Sequence, residues 1–234
     1  ARTSGRNLRN SIPRPARHST GRVRAVTTLL HIDSSPLKTE SVTRRLTAAF
    51  VDAWRQRAPE TVLLRRDLND PAPPHLDEDA LAALWNPESA SGPGQRALLA
   101  MSDRMIAELE SADLVVLGSP MYNFTVTSTL KAWMDMVGRA GRTFRYTESG
   151  VEGLLGGRQV VVITARGGFY RGGGPVSGAD HQTSLLTTYF RFLGIDAITF
   201  VHAEGQGMEP ERARSEEERA RAEIQQIVAR KTAA

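Results

Sequence analysis

The chain has 234 residues, with 30 Lys and Arg against 26 Asp and Glu for a formal charge of +4, and it contains no cysteine. That length allows one large domain or two small ones with an ample core, and the missing thiols exclude disulfides, thiolate metal sites, iron–sulfur clusters and a cysteine nucleophile. No apolar run approaches the ~18 to 20 residues that span a bilayer, so the expected location is the cytoplasm.

The basic charge is confined to one end. Residues 1–24 carry Arg2, Arg6, Arg9, Arg14, Arg17, Arg22 and Arg24 and no acid, which leaves 23 basic and 26 acidic side chains, a net of −3, in the rest. This Arg-, Ser-, Pro- and Gly-rich segment has no hydrophobic period and is expected to be disordered. Pro13 and Pro15 interrupt the amphipathic helix that a transit peptide needs. No aromatics are interleaved as in a nucleic-acid-binding arm, and no recognition fold accompanies it. A solvated extension is the reading that remains, and nucleic acid is not expected as a partner. Residues 25–234 are expected to form one domain.

From residue 25 strand-like and helix-like segments alternate. Residues 25–33 read as a strand, and 40–57 as a helix with apolar Val42, Leu46, Ala49, Phe50, Ala53 and Trp54 on one face. A short second strand lies near 61–64, followed by a Pro-rich connection at 71–74 and a short helical piece at 79–85. Gly92-Pro93-Gly94 precedes a helix over 95–110. The run Asp113-Leu114-Val115-Val116-Leu117 suits a strand buried on both faces, and after the loop 118–124 a helix is expected to begin. A fourth strand covers 159–164, a helix 177–192, a fifth strand 197–202, and a charged terminal helix 210–229. Five strands interleaved with helices imply right-handed crossovers and a doubly wound parallel sheet with helices on both faces. No fixed repeat length recurs, which argues against a solenoid.

In such sheets ligands bind beyond the carboxyl ends of the strands, and three loops there carry chemistry. The first, Ser34-Ser35-Pro36-Leu37-Lys38-Thr39-Glu40-Ser41-Val42-Thr43, leads into a helix N-terminus. Unpaired N–H groups and the hydroxyls of Ser35, Ser41 and Thr43 suit a terminal phosphate. Without glycine the loop is neither GxGxxG nor Walker A, and an ordinary N-cap at Ser41 is the competing reading. The second loop, Gly118-Ser119-Pro120-Met121-Tyr122-Asn123-Phe124, offers free N–H groups, an amide and two rings, which suits a flat heteroaromatic ligand. The third, Ala165-Arg166-Gly167-Gly168-Phe169-Tyr170-Arg171 with Gly172 to Gly174 beyond it, lets backbone approach a ligand closely. It also looks like an RGG-type RNA-binding box, but it occurs once, between an apolar strand and a helix.

Together with the stretch Arg139-Ala140-Gly141-Arg142-Thr143-Phe144-Arg145-Tyr146-Thr147-Glu148, these loops resemble those of the FMN-dependent NADH:azoreductases, relatives of the NAD(P)H:quinone reductases. The likeness runs from about residue 25 to residue 205. It implies a flavodoxin-like sheet of order 2-1-3-4-5 and a bound FMN, with NADH or NADPH as donor. By likeness Ser35, Ser41, Val42 and Thr43 would hold the phosphate and ribityl chain. Met121, Tyr122, Asn123 and Phe124 would line the isoalloxazine, and Ala165, Arg166, Gly167 and Gly168 would bind its pyrimidine side. N–H groups of Gly167 and Gly168 would stabilise the electron-loaded ring. The implied reaction is a two-step exchange: the nicotinamide gives a hydride and leaves, and a quinone or azo compound takes its place to receive two electrons.

Ala165 stands where a hydroxyl residue is common, and Thr43 replaces a frequent Ser. Tyr170 sits where a proton donor near a flavin carbonyl belongs. The resemblance also implies a homodimer with two sites at the interface, to which Tyr146, Phe169 and Tyr189 are candidate substrate-pocket residues; Phe190 and Phe192 read as core of their helix. A flavodoxin-like electron carrier or redox-sensing module is the alternative. A hydrolase is not supported, since Ser177, Asp180 and His181 crowd one segment and no GxSxG elbow occurs. His31, His75 and His202 lack metal-ligand spacing, so no metal is expected, and Asp77 to Asp79 read as a helix start.

Overall fold

The computed structural model describes residues 28–172 and 176–232. The disorder expected of residues 1–24 falls outside them, as do the first residues of the predicted first strand and residues 173–175 of the glycine-rich loop. In chain order the elements are β1 (Thr28–Asp33), α1 (Val42–Arg57), β2 (Val62–Asp67), α2 (Glu78–Trp85), α3 (Pro93–Ser111), β3 (Leu114–Pro120), α4 (Ser128–Val137), β4 (Phe144–Thr147), β5 (Gly150–Gly153), β6 (Gln159–Ala165), α5 (His181–Phe192), β7 (Ala197–Ala203) and α6 (Pro210–Thr232).

Five strands pair in parallel in the order β2-β1-β3-β6-β7. This is the expected 2-1-3-4-5 order, with β6 and β7 as the fourth and fifth strands of the sheet. Alternate side chains divide between two apolar clusters, as the period of two requires. Leu30, Ile32, Val115, Leu117, Val160 and Val162 pack with Met105, Trp133 and Phe190 from α3, α4 and α5. Leu29, Leu114, Val116, Val161 and Ile163 pack with Phe50 and Trp54 of α1 and Ile224 of α6. Every residue of β3 is buried, which is why its apolar run is continuous.

Helix starts follow local capping chemistry. The side chains of Ser41, Asp77, Thr127 and Asp180 each accept the N–H three residues on. The register then brings the functional loops to one edge. Asp33 lies opposite Gly118, Pro120 opposite Ala165, and Ala165 opposite Ala203. The loops after β1, β3, β6 and β7 therefore leave the sheet side by side, at the point where the strand order reverses.

The structure adds an antiparallel hairpin, β4–β5, between α4 and β6. It was not expected from the sequence, because its two strands are mostly exposed and only four residues long, too short for the alternation in Phe144-Arg145-Tyr146-Thr147 to stand out. β2 runs three residues beyond its predicted end, since Arg65, Arg66 and Asp67 pair with β1 at the sheet edge. Phe190 is buried core as expected, but Phe192 lies at the surface against the Phe144 ring, 4.6 Å between centroids.

Candidate functional site

The first loop is a buried hydroxyl cluster beneath an exposed crest. Ser34, Ser35, Ser41 and Thr43 are buried, while residues 36–40 are exposed and Val42 is half-buried. Ser34 Oγ donates to the Gly118 carbonyl (2.7 Å), and the Ser41 and Thr43 hydroxyls lie 3.1 Å apart. Ser41 also caps α1 by accepting the Arg44 N–H, so the N-cap and the phosphate readings describe one geometry. Among the described residues the N–H groups of Val42 and Thr43 have no partner and stand at the positive end of the helix dipole.

Arg44 holds this loop in shape. Its guanidinium donates to the carbonyls of Ser35 (2.7 Å) and Leu37 (2.9 Å) and to Asp67 (2.8 Å), and Asn69 adds a bond to the Ser35 carbonyl. Burial opposes ionisation of Asp67, but Arg44 and the Asn69 N–H outweigh it and hold its carboxyl below the ordinary value.

The second loop is a tight turn. Tyr122 and Thr125 exchange both backbone hydrogen bonds, at 3.0 and 3.1 Å, around Asn123 and Phe124. Both central residues have positive φ, +47° and +71°. This is the backbone of a type I′ turn, but with phenylalanine where glycine is preferred. A bulky residue in the left-handed region costs roughly 1–2 kcal/mol, yet the Phe124 ring is 50% exposed and Tyr122 also faces solvent. Among the described residues the strain therefore serves no packing need. Met121 is half-buried, and its N–H donates to the Ala165 carbonyl (2.9 Å), which ties this loop to the next.

The third loop is pinned from behind. The carbonyls of Arg166, Gly167 and Gly168 accept from the N–H groups of Gln206, Gly207 and Gly205 at 2.8 to 3.0 Å. Because C=O and N–H point opposite ways across a trans peptide, the N–H groups of Gly167 and Gly168 face away from that segment. Among the described residues they have no partner, and a Cβ placed on Gly167 would meet open space. The Arg166 side chain does not face the opening. It is buried, donating to Asp180 (2.9 Å) and Thr183 (2.6 Å), so this residue offers the site its place in the chain and not its charge. Tyr170 is half-buried, with its ring beside Gly168.

Glu204 and Gln182 carried no signal that singled them out in the sequence, and Asp180 entered there only as part of a rejected triad. Burial opposes ionisation of Asp180, but the N–H and hydroxyl of Thr183 and the Arg166 guanidinium outweigh it and lower its pKa. Glu204, only 2% exposed, accepts the Tyr170 N–H (2.8 Å). Gln182 donates from α5 to the Ser119 carbonyl (2.9 Å), tying the second loop to that helix. His202 lies 2.8 Å from the Thr164 hydroxyl, and burial, together with Arg166 and Arg171, lowers its pKa to about 4; it is neutral near pH 7.

The substrate-pocket candidates separate. Tyr146 and Tyr189 line a cavity of about 610 Å³ with Leu84, Trp85, Phe144 and Phe192. Tyr189 donates to the Met134 carbonyl (2.6 Å), and burial raises its pKa well above the ordinary value. Phe169 is not part of this wall: its ring packs against Gly205 with the Arg212 guanidinium 4.2 Å away. The cavity sits at the C-terminal end of α4, where Asp135 and Gly138 line it, whereas the second loop leads into the N-terminal end of that helix. Ten residues at 1.5 Å each put about 15 Å between the two.

A sequence profile of the family described as "Flavodoxin-like fold" matches residues 27–228. The chain belongs to the flavodoxin-like fold family. It is 46% identical over 180 residues to an FMN-dependent NADH:quinone oxidoreductase of Azotobacter vinelandii, covering 77% of this chain and 88% of the relative. It is 45% identical over 202 residues to a protein of the same name from Ralstonia nicotianae, covering 86% and 96%. Among solved structures, an FMN-dependent NADH-azoreductase of Bacillus anthracis in complex with FMN superposes with a TM-score of 0.79 at 26% identity, over 87% of this chain and 98% of that one. Among the described residues no helix is long and apolar enough to cross a membrane, and no cluster of metal-ligating side chains occurs.

Proposed function

We propose that this flavodoxin-like chain is an FMN-dependent NAD(P)H oxidoreductase that reduces quinones and azo compounds by two-electron transfer in a ping-pong sequence. The observation that carries it is the convergence of the three loops at the carboxyl ends of the strands, where among the described residues the N–H groups of Val42, Thr43, Gly167 and Gly168 have no partner and the Tyr122 and Phe124 rings are exposed. The relatives' names support the same reading.

The residues present fit FMN. Ser35, Ser41, Val42 and Thr43 would hold the phosphate and ribityl chain, where Asp33, the nearby carboxylate, is engaged by Thr47 and lies 3.6 Å from Arg44. Met121, Tyr122, Asn123 and Phe124 would line the ring. The backbone of Ala165, Gly167 and Gly168 would meet its pyrimidine side, with Tyr170 close enough to Gly168 to serve as proton donor. When bound, FMN supplies the hydride acceptance and two-electron release that no side chain here provides. The protein binds, orients and excludes water.

The same reading includes one doubly wound FMN-binding domain over residues 25–234, a homodimer, and a cytoplasmic location with no nucleic-acid or membrane partner. The geometry is compatible with a dimer. The aromatic cavity and the flavin loops lie at opposite ends of α4, and both present exposed rings: Trp85 is 78% and Tyr146 74% exposed at the cavity, and Phe124 is 50% exposed in the second loop. A two-fold pairing lets the cavity of one protomer complete the flavin face of its partner. Reconstitution with FMN should give a yellow protein whose absorbance bleaches anaerobically with NADH or NADPH and recovers with a quinone or azo dye. Binding of FMN without reduction by either nicotinamide would overturn the enzyme reading and favour an electron carrier or redox sensor.

A further inference from the structure

We infer that Glu204 is the positioning residue of the Gly167–Gly168 loop and the counter-charge that tunes the loop's electrostatic hold on the flavin. This rests on the proposed assignment of that loop to the pyrimidine side of FMN. The residue stands immediately beyond β7, and its side chain turns beneath the loop instead of toward solvent. Oε1 accepts the N–H groups of Tyr170 (2.8 Å) and Arg171 (3.3 Å), and Arg166 Nη1 stands 3.5 Å away. Oε2 accepts Arg171 Nε at 3.1 Å. A carboxylate is acceptor-only, with about four lone-pair sites, and here donors approach both of its oxygens.

The tether acts on the site through backbone geometry. Arg166 is anchored at one end of the loop by Asp180 and Thr183, and Tyr170 and Arg171 at the other end by Glu204. Between these anchors the ladder to residues 205–207 forces the Gly167 and Gly168 N–H groups outward. Freeing the Glu204 end lets the loop rotate its donors away.

The network also balances charge. Arg166 and Arg171 face Asp180 and Glu204, two cations against two anions, in a region where Arg166 and Glu204 are shielded from water. Burial works against ionisation of Glu204, but the Tyr170 N–H and Arg171 outweigh it and keep its carboxyl below the ordinary value, so the negative charge is present at neutral pH. Neutralising it leaves one cation uncompensated close to the outward N–H groups. Negative charge arriving on the flavin's pyrimidine edge is then favoured more than in the native protein.

The test uses the full chain reconstituted with FMN. Affinity is read from flavin fluorescence quenching and the two-electron midpoint potential from spectroelectrochemistry. Glu204→Ala should weaken FMN binding at least tenfold. Glu204→Gln, which keeps an acceptor for the Tyr170 N–H, should restore much of that affinity while raising the potential above that of the unmodified protein. Adding Arg171→Gln to Glu204→Gln should return the potential toward its native value, which a purely structural role would not do. If Glu204→Ala does not fold, the isosteric Glu204→Gln and the double variant decide the matter alone. An unchanged potential in Glu204→Gln, or a double variant indistinguishable from it, overturns the inference. A native chain that takes up no FMN overturns the functional reading and this inference with it.

Discussion

Gly205 is the position at which the third loop should be easiest to break. Its φ is +67°, and a Cβ there would stand 2.6 and 2.7 Å from two carbons of the Phe169 ring. A side chain in the left-handed region costs about 1–2 kcal/mol, and overpacking against a ring that must move by most of an ångström costs about 1–3 kcal/mol more. Moving the ring also disturbs the stacking of the exposed Arg212 guanidinium on it at 4.2 Å, which is worth about 0.5–1 kcal/mol. Reduced freedom of the unfolded chain offsets roughly 0.4–1 kcal/mol, so Gly205→Ala should destabilise the flavin-free protein by about 1–4.5 kcal/mol. In a chain of this size that is a melting shift of roughly 2–18 °C. Urea unfolding of Gly205→Ala, Phe169→Ala and the double variant forms a thermodynamic cycle. Removing the ring abolishes the clash, so the double variant should be more stable than the sum of the single effects by about 1–3 kcal/mol. Because the Gly205 N–H holds the Gly168 carbonyl, FMN affinity should fall in parallel. A Gly205→Ala protein within 0.5 kcal/mol of the native one, or a cycle with no coupling, would refute the steric argument.

Other outcomes follow from the same geometry. Asn123→Ala should weaken FMN retention during gel filtration and also lower the flavin-free melting point modestly, since alanine tolerates the left-handed φ of +47° less well than asparagine; unchanged retention would contradict its place beside the ring. Arg44→Met strips the donors from the Ser35 and Leu37 carbonyls, and FMN titration should show affinity reduced by about tenfold or more, equivalent to roughly 1.4 kcal/mol. His202 has a folded pKa of about 4, below its ordinary 6.5. The unfolded chain therefore binds more protons between those values, and the stability due to this group is full above pH 6.5 and lost as pH falls toward 4. The loss amounts to about 3 kcal/mol. His202→Phe, which preserves a ring against Phe200, should flatten the stability profile in that window, as denaturant midpoints at several pH values would show.

What was legible in the sequence was legible for physical reasons. β3 and β6 are buried on both faces, so their apolar runs stand out as Leu114-Val115-Val116-Leu117 and Val160-Val161-Val162-Ile163. Once these strands and the intervening helices were placed, the loops at their carboxyl ends fell together by topology. The β4–β5 hairpin was invisible because exposed strands four residues long are too short for a period to stand out. The grouping of Phe169 with Tyr146 and Tyr189 failed because composition shows that a residue is aromatic but not what its ring touches; Phe169 is occupied by Gly205 and Arg212. Arg166 was legible as part of a motif, but the buried acids that claim its side chain, Asp180 and Glu204, lie 14 and 38 residues away.

Asn123-Phe124 shows where local propensity and structure part company. A two-residue turn of this hand asks for Asn-Gly, and the chain supplies the first residue but puts a ring at the second. Glycine there would relieve the backbone, and the exposed ring gains little from its own core. Local preference agrees with the fold at the caps Ser41, Asp77, Thr127 and Asp180, and it fails at the turn whose side chains face outward. A violation that packing among the described residues does not repay marks a candidate binding position. A planar ring seated across this turn, with the Gly167 and Gly168 N–H groups on its far side, would occupy it.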